Sequence, residues 1–267
     1  MPPLSLLQLP SRIHRRARRS RLMTLILLTL IVLSVFSPIY CIYKPPTFLI
    51  SYFSYLNPSV LFHIPTPRSL IALTIDDAPS SHTLEILETL ATAKVHATFF
   101  VIGAQVAGRE AVLAEIVRQG HELGNHALHD EPSRSLPPDV LAAQIQQVDD
   151  LIRAAYAAAG SDAAPPRYFR PGSGFFNRPL LDTVEGLGFK VVLGDIYPHD
   201  PQVPYWRVNA AHILSMLKPG GIIICHDRRS WTVPMLKKVL PEAKRKGWRI
   251  GSLSEVLREA ESVVMAG

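Results

Sequence analysis

From Ser69 onward, short apolar runs alternate with stretches whose apolar residues recur at helical spacing, and few architectures accept that alternation. Candidate strands are 70–75, 97–102, 122–124, 168–170, 191–194, 221–225 and 249–251. Candidate helices occupy about 81–94, 109–119, 137–159, 178–187, 208–217, 232–246 and 252–261. Gly120, Gly160, Gly188 and Gly247 stand where helices should stop. Strands separated by helices predict a parallel sheet with right-handed crossovers. About seven such units in roughly 200 residues predict an α/β fold, a distorted or incomplete (β/α) barrel rather than an open two-domain fold. The stretch 137–159 carries Val140, Leu141, Ile145, Val148, Leu151 and Ile152 at helical spacing, and core packing is sufficient reason for it.

The segment before this domain is of another kind. Residues 22–43 contain no Asp, Glu, Lys or Arg, and a helix of that length spans a hydrocarbon core of roughly 30 Å. Arg12, Arg15, Arg16, Arg18, Arg19 and Arg21 precede it. These six account for the whole net charge of +6, because the remaining 22 basic residues are matched by 22 acidic ones. The basic balance therefore describes a tail, and nucleic acid is not an expected partner. Positive charge before an apolar span stays cytoplasmic, which predicts a single-pass membrane protein with its folded domain extracellular or lumenal. Pro38, Cys41 and Tyr43 make a poor cleavage site, so an uncleaved signal-anchor is expected over a cleaved leader. The expected organisation is a basic cytoplasmic tail (1–21), a transmembrane signal-anchor (22–43), a Pro- and aromatic-rich connector (44–68) and a folded domain (69–267). Two cysteines, Cys41 and Cys225, do not make a disulfide framework, and Cys41 is either apolar filler or a lipidation site. With 48% hydrophobic residues, the chain has ample material for a core and is not a disordered polymer.

The polar residues fall at telling positions. Asp76-Asp77 follows Leu-Thr-Ile, Asn125-His126 follows Glu-Leu-Gly, Arg170 closes Tyr-Phe, Asp195 follows Val-Val-Leu-Gly, and His226-Asp227 follows Ile-Ile-Ile-Cys. In a parallel barrel the carboxyl-terminal ends of the strands share one face, the face on which such enzymes do chemistry. Any one of these residues alone is unremarkable; five together predict a site. Adjacent carboxylates on one strand should point in different directions, so one can bind a metal while the other handles a proton. His126 with His129 (i,i+3) or with Asp130 (i,i+4) can converge on one ion if that turn is helical. Such a set suits a divalent metal that activates water. Neither a phosphate-binding glycine loop nor a Gly-x-Ser-x-Gly elbow is present; Gly172-Ser173-Gly174 reads as a turn. His82, His96 and His212 read as surface or packing residues.

These residues fall in blocks that resemble a known family. Leu73-Thr74-Ile75-Asp76-Asp77-Ala78-Pro79 is similar to the T-F-D-D-G-P signature of NodB-type polysaccharide deacetylases, carbohydrate esterase family 4, chitin deacetylases among them. The resemblance continues in order through Ala97-Thr98-Phe99-Phe100-Val101-Ile102-Gly103, Gly120-His121-Glu122-Leu123-Gly124-Asn125-His126, Arg170-Pro171-Gly172-Ser173-Gly174 and Ile224-Cys225-His226. It implies a distorted barrel and a hydrolase of carbon–nitrogen bonds other than peptide bonds. The substrate it implies is an N-acetylglucosamine-containing, chitin-like polysaccharide, deacetylated with a divalent metal, Zn²⁺ or another such as Co²⁺. It further implies Asp77 and His126 as metal ligands, Asp76 as general base, Arg170 as the cation that holds Asp76 ionised, His226 as general acid, and the backbone N–H of Ser173 as oxyanion donor.

The chain departs from the pattern in places. Where the family has its second metal histidine, four residues after the first, stands Asp130, taken here as third ligand with His129 as the alternative. Ala78 replaces a glycine, and Gly172-Ser173 replaces Pro-Tyr, removing an aromatic from the substrate's side. The aspartate that tunes the acid is either Asp195 or Asp200; Asp195 is preferred because it leaves its strand directly. Tyr197, Trp206 and Trp231 are open to sugar stacking or to ordinary packing. The lost aromatic motivates a second reading, hydrolysis of a small non-sugar amide, and Asp130 a third, a non-catalytic glycan-binding protein. No motif bears on oligomeric state.

Overall fold

The computed structural model describes residues 11–264. The chain divides between Pro46 and Thr47 into two compact units. The first is helix α1 (Ser11–Tyr43). Its stretch Arg18–Tyr43, 26 residues of mean hydropathy 2.5, leaves its side chains exposed and is long enough, by length and composition, to cross a membrane. A helix apolar all round has no polar face to offer water. Residues 1–10 of the basic tail lie outside the described residues.

The second unit opens with α2 (Thr47–Leu56) and strand β1 (Val60–Leu61), then runs β2 (Leu70–Ala78), α3 (Thr83–Ala93), β3 (Thr98–Val101), α4 (Glu110–Arg118) and β4 (Glu122–Asn125). It continues through α5 (Pro138–Ala158), β5 (Tyr168–Phe169), α6 (Arg178–Gly186), β6 (Lys190–Val192), α7 (Trp206–Met216), β7 (Gly221–His226), α8 (Thr232–Arg245), β8 (Arg249–Gly251) and α9 (Leu253–Val264). All seven expected strands and seven expected helices are present. β1 and α2 arise within the stretch taken as connector, where two strand residues between prolines leave no readable periodicity.

Every strand pair is parallel. The order is β1-β6-β5-β4-β3-β2-β7, with β8 pairing the beginning of β2. The two ends of that order, β1 and β7, are not paired among the described residues, so the sheet curls into a half-barrel without closing. β2 is its axis: all nine residues are buried, as apolar runs in parallel sheets covered on both faces must be. Leu73, Ile75, Phe99 and Ile223 pack with Ile86, Leu90, Leu236 and Leu240 of the covering helices α3 and α8. After β6 the chain crosses to β7 through an isolated bridge, Ile196↔Ile223. Gly194 permits that approach: a Cβ there would lie 2.9 Å from the Ile222 carbonyl oxygen.

Candidate active site

Because the strands are parallel, their carboxyl-terminal ends open on one mouth, where a cleft of about 510 Å³ is lined by Asp76, Asp77, His126, Asp130, Arg170, Ser173, Tyr197 and His226, among others. Asp76 and Asp77 both line it. β2 bulges here: between Ile75↔Phe99 and Ala78↔Val101, it uses one residue more than β3. Asp77 sits there in the left-handed region, φ 64°. The extra residue shifts the alternation, and the two carboxylates take different partners, Asp76 the Arg170 guanidinium and Asp77 the His126 ring.

Asp76 is held by Arg170, whose Nη1 donates to its Oδ1 at 2.5 Å. Arg170 is buried and spent on this task. Nη1 also donates to Thr74 Oγ1 (2.7 Å), Nε to the Val192 carbonyl (3.2 Å) and Nη2 to the Leu193 carbonyl (2.8 Å). Its guanidinium lies 4.1 Å from the Phe100 ring centre. Burial pushes the Asp76 carboxyl up, but the charge of Arg170, then of His126 and His226, outweighs it and holds the group below its ordinary range. Asp77 has no such cation bonded to it; burial dominates and raises it, against the pull of His226 and His126.

His126 follows β4, and its Nδ1 lies 2.6 Å from the Arg170 carbonyl oxygen. A carbonyl only accepts, so Nδ1 carries a proton, and Nε2 is the ring nitrogen left to face an ion. That Nε2 is 3.8 Å from Asp77 Oδ1, and both side chains are buried. An imidazole lone pair beside a carboxylate, oriented through its other nitrogen, is a donor set suited to a divalent metal. These two residues fit such an ion. The third donor is not assembled: no cluster of three or more His, Cys, Asp or Glu side chains able to hold a metal is present among the described residues. Residues 126–130 are not helical, so the i,i+4 convergence fails. Asp130 stands at the edge of the cleft with its side chain 54% exposed, paired with Arg228 at 3.4 Å, and His129 is exposed.

His226 ends β7. Asp200 meets it twice, Oδ2 accepting the His226 backbone N–H at 2.9 Å and Oδ1 lying 2.9 Å from Nδ1. Burial alone would lower the imidazole; the Asp200 bond and charge, with the charges of Asp76 and Asp77, overcome it and raise the group to about 9. The preference for Asp195 is thereby corrected. Asp195 is buried, lies 2.7 Å from His63 Nδ1 and 3.0 Å from Lys218 Nζ, and accepts the Ile222 N–H. It braces the barrel below the mouth because it leaves its strand too early, whereas Asp200 reaches the mouth five residues later. Trp231 serves the same loop, donating its indole N–H to the Asp200 carbonyl at 2.9 Å. Tyr197 lines the cleft, its ring centre 6.0 Å from that of His226. Trp206 packs against the core. Ser173 lines the cleft in a left-handed turn, φ 62°; Gly172 beside it is required, since a Cβ there would meet the Glu131 carbonyl oxygen at 2.0 Å.

Three features escaped the sequence reading. Asp227 is buried and accepts from the hydroxyls of Ser80 (3.0 Å) and Thr83 (2.5 Å), clamping the β2–α3 turn against β7. Ile50 of α2 and Phe62 wall the cleft, and Arg229 lines it beyond His226. The adjacent arginines at 228–229, just past a strand end, were the available signal for the last.

Comparison with known proteins agrees with this frame. The family model for polysaccharide deacetylase matches residues 63–192. A peptidoglycan-N-acetylglucosamine deacetylase of Bacillus cereus is 30% identical over 205 residues, 74% of this chain and 93% of that one. Among solved structures, a CE4 family pseudoenzyme from Bacillus anthracis superposes with a TM-score of 0.67 at 25% identity, covering 75% of this chain and 69% of that one. A family 4 acetyl xylan esterase from Clostridium thermocellum, in complex with a cobalt ion, gives 0.63 at 28% identity, covering 71% and 90%.

Proposed function

Because the chain belongs to the polysaccharide deacetylase family, we propose that it hydrolyses N-acetyl groups of N-acetylglucosamine-containing, chitin-like glycans, releasing acetate and a free amine. One observation supports this most: a carboxylate held ionised by Arg170 and an imidazole raised by Asp200 share one cleft. A base and an acid set to opposite protonation states are what amide hydrolysis requires.

Asp77 and His126 would hold a divalent ion, Zn²⁺ or Co²⁺, with Asp130 closing on it as third ligand when it leaves Arg228. When bound, the ion polarises the acetyl carbonyl and lowers the pKa of water. Asp76 takes a proton from the attacking water, and Arg170 keeps it ionised and aimed. The Ser173 N–H, at the cleft wall, donates to the carbonyl oxygen as negative charge gathers there. His226, charged at neutral pH, gives its proton to the departing nitrogen, so the C–N bond breaks as the amine forms. Asp200 holds the ring and its charge.

The apolar stretch and its arginines support a retained signal-anchor that keeps the folded domain on the outer or lumenal side. With it go a cytoplasmic tail at 1–21 and an anchor at 22–43; the folded unit begins at Thr47, so much of the stretch 44–68 expected as connector belongs to the folded domain.

The test is acetate release from N-acetylglucosamine oligomers by the full chain in detergent micelles, loaded with Zn²⁺ or Co²⁺, beside Asp77→Ala. Release by the wild type and loss in the variant are expected. Equal inactivity of both, with glycan still bound, favours a non-catalytic binder, a reading that the exposed Asp130 supports. Metal titration of Asp130→Ala against His129→Ala identifies the third ligand.

A further inference from the structure

Between Lys44 and Arg68 the chain contains no Asp, Glu, Lys or Arg, and α2 stands within that stretch. Phe48, Tyr52 and Tyr55 recur at i, i+4 and i+7, a spacing that stacks three rings along one face of a helix. They are exposed, by 74%, 56% and 83%. The opposite face is buried. Its Ile50 belongs to the core cluster of Phe62, Phe169 and Val191, and with Phe62 it lines the catalytic cleft. Phe53 joins the two faces, its ring centre 6.0 Å from that of Tyr52 and 6.4 Å from that of Phe62. One side of α2 is thus a wall of the mouth, and the other is an exposed aromatic stripe.

A contiguous exposed apolar stripe marks a surface that something covers. The chain itself says what lies beside this one. Only Lys44, Pro45 and Pro46 separate α2 from the apolar stretch Arg18–Tyr43, and fully extended that link reaches about 14 Å. With that stretch crossing a bilayer, α2 begins in or beside the headgroup zone, which adds about 5–8 Å to each side of the hydrocarbon core. Tyrosine is suited to that depth, its ring among the upper acyl chains and its hydroxyl among the headgroups. The lack of formal charge along the stretch removes the main cost of bringing it into lipid.

We propose that α2 is an interfacial helix: its stripe of Phe48, Tyr52 and Tyr55 seats in the phospholipid surface and holds the mouth of the barrel beside it. A helix with its side chains is about 10–12 Å across, so the cleft wall formed by Ile50 lies about that far from the lipid. The contact fixes where the mouth stands, in place of a domain on a free tether. This rests on the retained-anchor reading, and the test separates the two.

The full chain carrying Cys41→Ser is reconstituted in vesicles of phosphatidylcholine and phosphatidylglycerol; Cys225 is buried and escapes labelling. A nitroxide is attached to one new cysteine at a time: Phe48→Cys, Tyr52→Cys or Tyr55→Cys on the stripe, Leu33→Cys within α1, and Lys246→Cys just past the end of α8. All five positions are exposed, so no core packing is lost. The readout is the ratio of collision rates with oxygen, which concentrates in lipid, and with a water-soluble nickel chelate. At 48, 52 and 55 the ratio should exceed that at 246 by about threefold or more, as for groups about 5–10 Å into the headgroup boundary, and at 33 it should be higher still. With Phe48→Ser and Tyr55→Ser in the same chain, the label at 52 should return to the value at 246. Stripe ratios equal to that at 246, with position 33 in lipid, overturn the proposal and leave the anchor standing. A label at 52 that stays in lipid without its two neighbours also overturns it, since the tether alone then holds the helix there. Positions 33 and 52 both in water remove the anchor and the proposal together; 33 in water with the stripe in lipid upholds the docking face and removes the anchor. Dipolar broadening between labels at 52 on two chains makes the occupant a second copy and overturns the lipid assignment.

Discussion

Replacing Asp200 by Asn isolates the feature on which the acid depends. The amide oxygen can still accept from His226 Nδ1 and the ring keeps its place, but the negative charge is gone. In the wild type the imidazole is raised from its ordinary 6.5 to about 9, although burial pulls the other way. That difference favours the imidazolium by about 3 kcal/mol, at 1.36 kcal/mol per pH unit. With Asp200 neutral, Asp76 and Asp77 remain to oppose burial, and the group should fall by about two units. The sign follows from the role. The acid must be protonated, so activity is lost as pH rises through its pKa, and the basic limb of kcat/KM should move from near 9 in the wild type to about 7 in Asp200→Asn. The same shift makes the fold pH-dependent: the imidazolium's stabilisation is fully present below about 6.5 and lost as pH rises through about 9. Steady-state rates between pH 5 and 10, with denaturant melts at both ends, measure both effects. Asp195→Asn supplies the contrast. Its carboxylate lies against His63 and Lys218, so it should cost stability, about 3 kcal/mol for a broken buried pair, and leave the basic limb in place. A limb that stays near 9 in Asp200→Asn, or one that moves in Asp195→Asn, refutes the assignment.

Arg170→Met strands the buried Asp76 carboxylate and three further acceptors, Thr74 Oγ1 and the Val192 and Leu193 carbonyls, and should lower stability by about 3–5 kcal/mol in denaturant titration and abolish turnover. His121 is buried and pushed down to about 4, by burial first and by the charge of His96 second. The fold therefore prefers it neutral, and its contribution, complete above 6.5, should be lost as pH falls toward 4, about 3 kcal/mol in all. His121→Gln, which can still accept the Ala97 N–H, should flatten the acid side of a Tm-against-pH curve. Asp77→Ala and His126→Ala should each weaken Co²⁺ binding by tenfold or more in isothermal titration, whereas Asp130→Ala, whose carboxylate is exposed and paired elsewhere, should weaken it less. Alkaline carbonate extraction should leave the full chain in the membrane fraction if residues 22–43 form a retained anchor; release into the supernatant contradicts that.

The strands were legible because each is an apolar run that a doubly covered parallel sheet demands, and the strand-end residues Asp76, His126, Arg170 and His226 were legible because parallel topology gathers such ends at one mouth. Long-range geometry was not. Asp195 and Asp200 lie five residues apart in one polar loop, and only the crossing of that loop over β7 decides which of them meets His226. The bulge at Asp77 is a register event between β2 and β3 that a single strand's sequence does not display. The spacing of His126 and Asp130 suggested a helical turn, but Ala127 adopts φ 63° and breaks it. β1 and α2 were hidden because two strand residues carry no period, and because an aromatic-rich helix resembles a linker.

The central claim is that Asp76, ionised under Arg170, is the base of an amide hydrolase, and Asp76→Asn tests it most directly. In the full chain loaded with Co²⁺, acetate release from an N-acetylglucosamine tetramer should fall by about 10²–10⁴-fold, one free amine appearing for each acetate that remains, while Co²⁺ binding persists through Asp77 and His126. Acetate release undiminished in Asp76→Asn would contradict it.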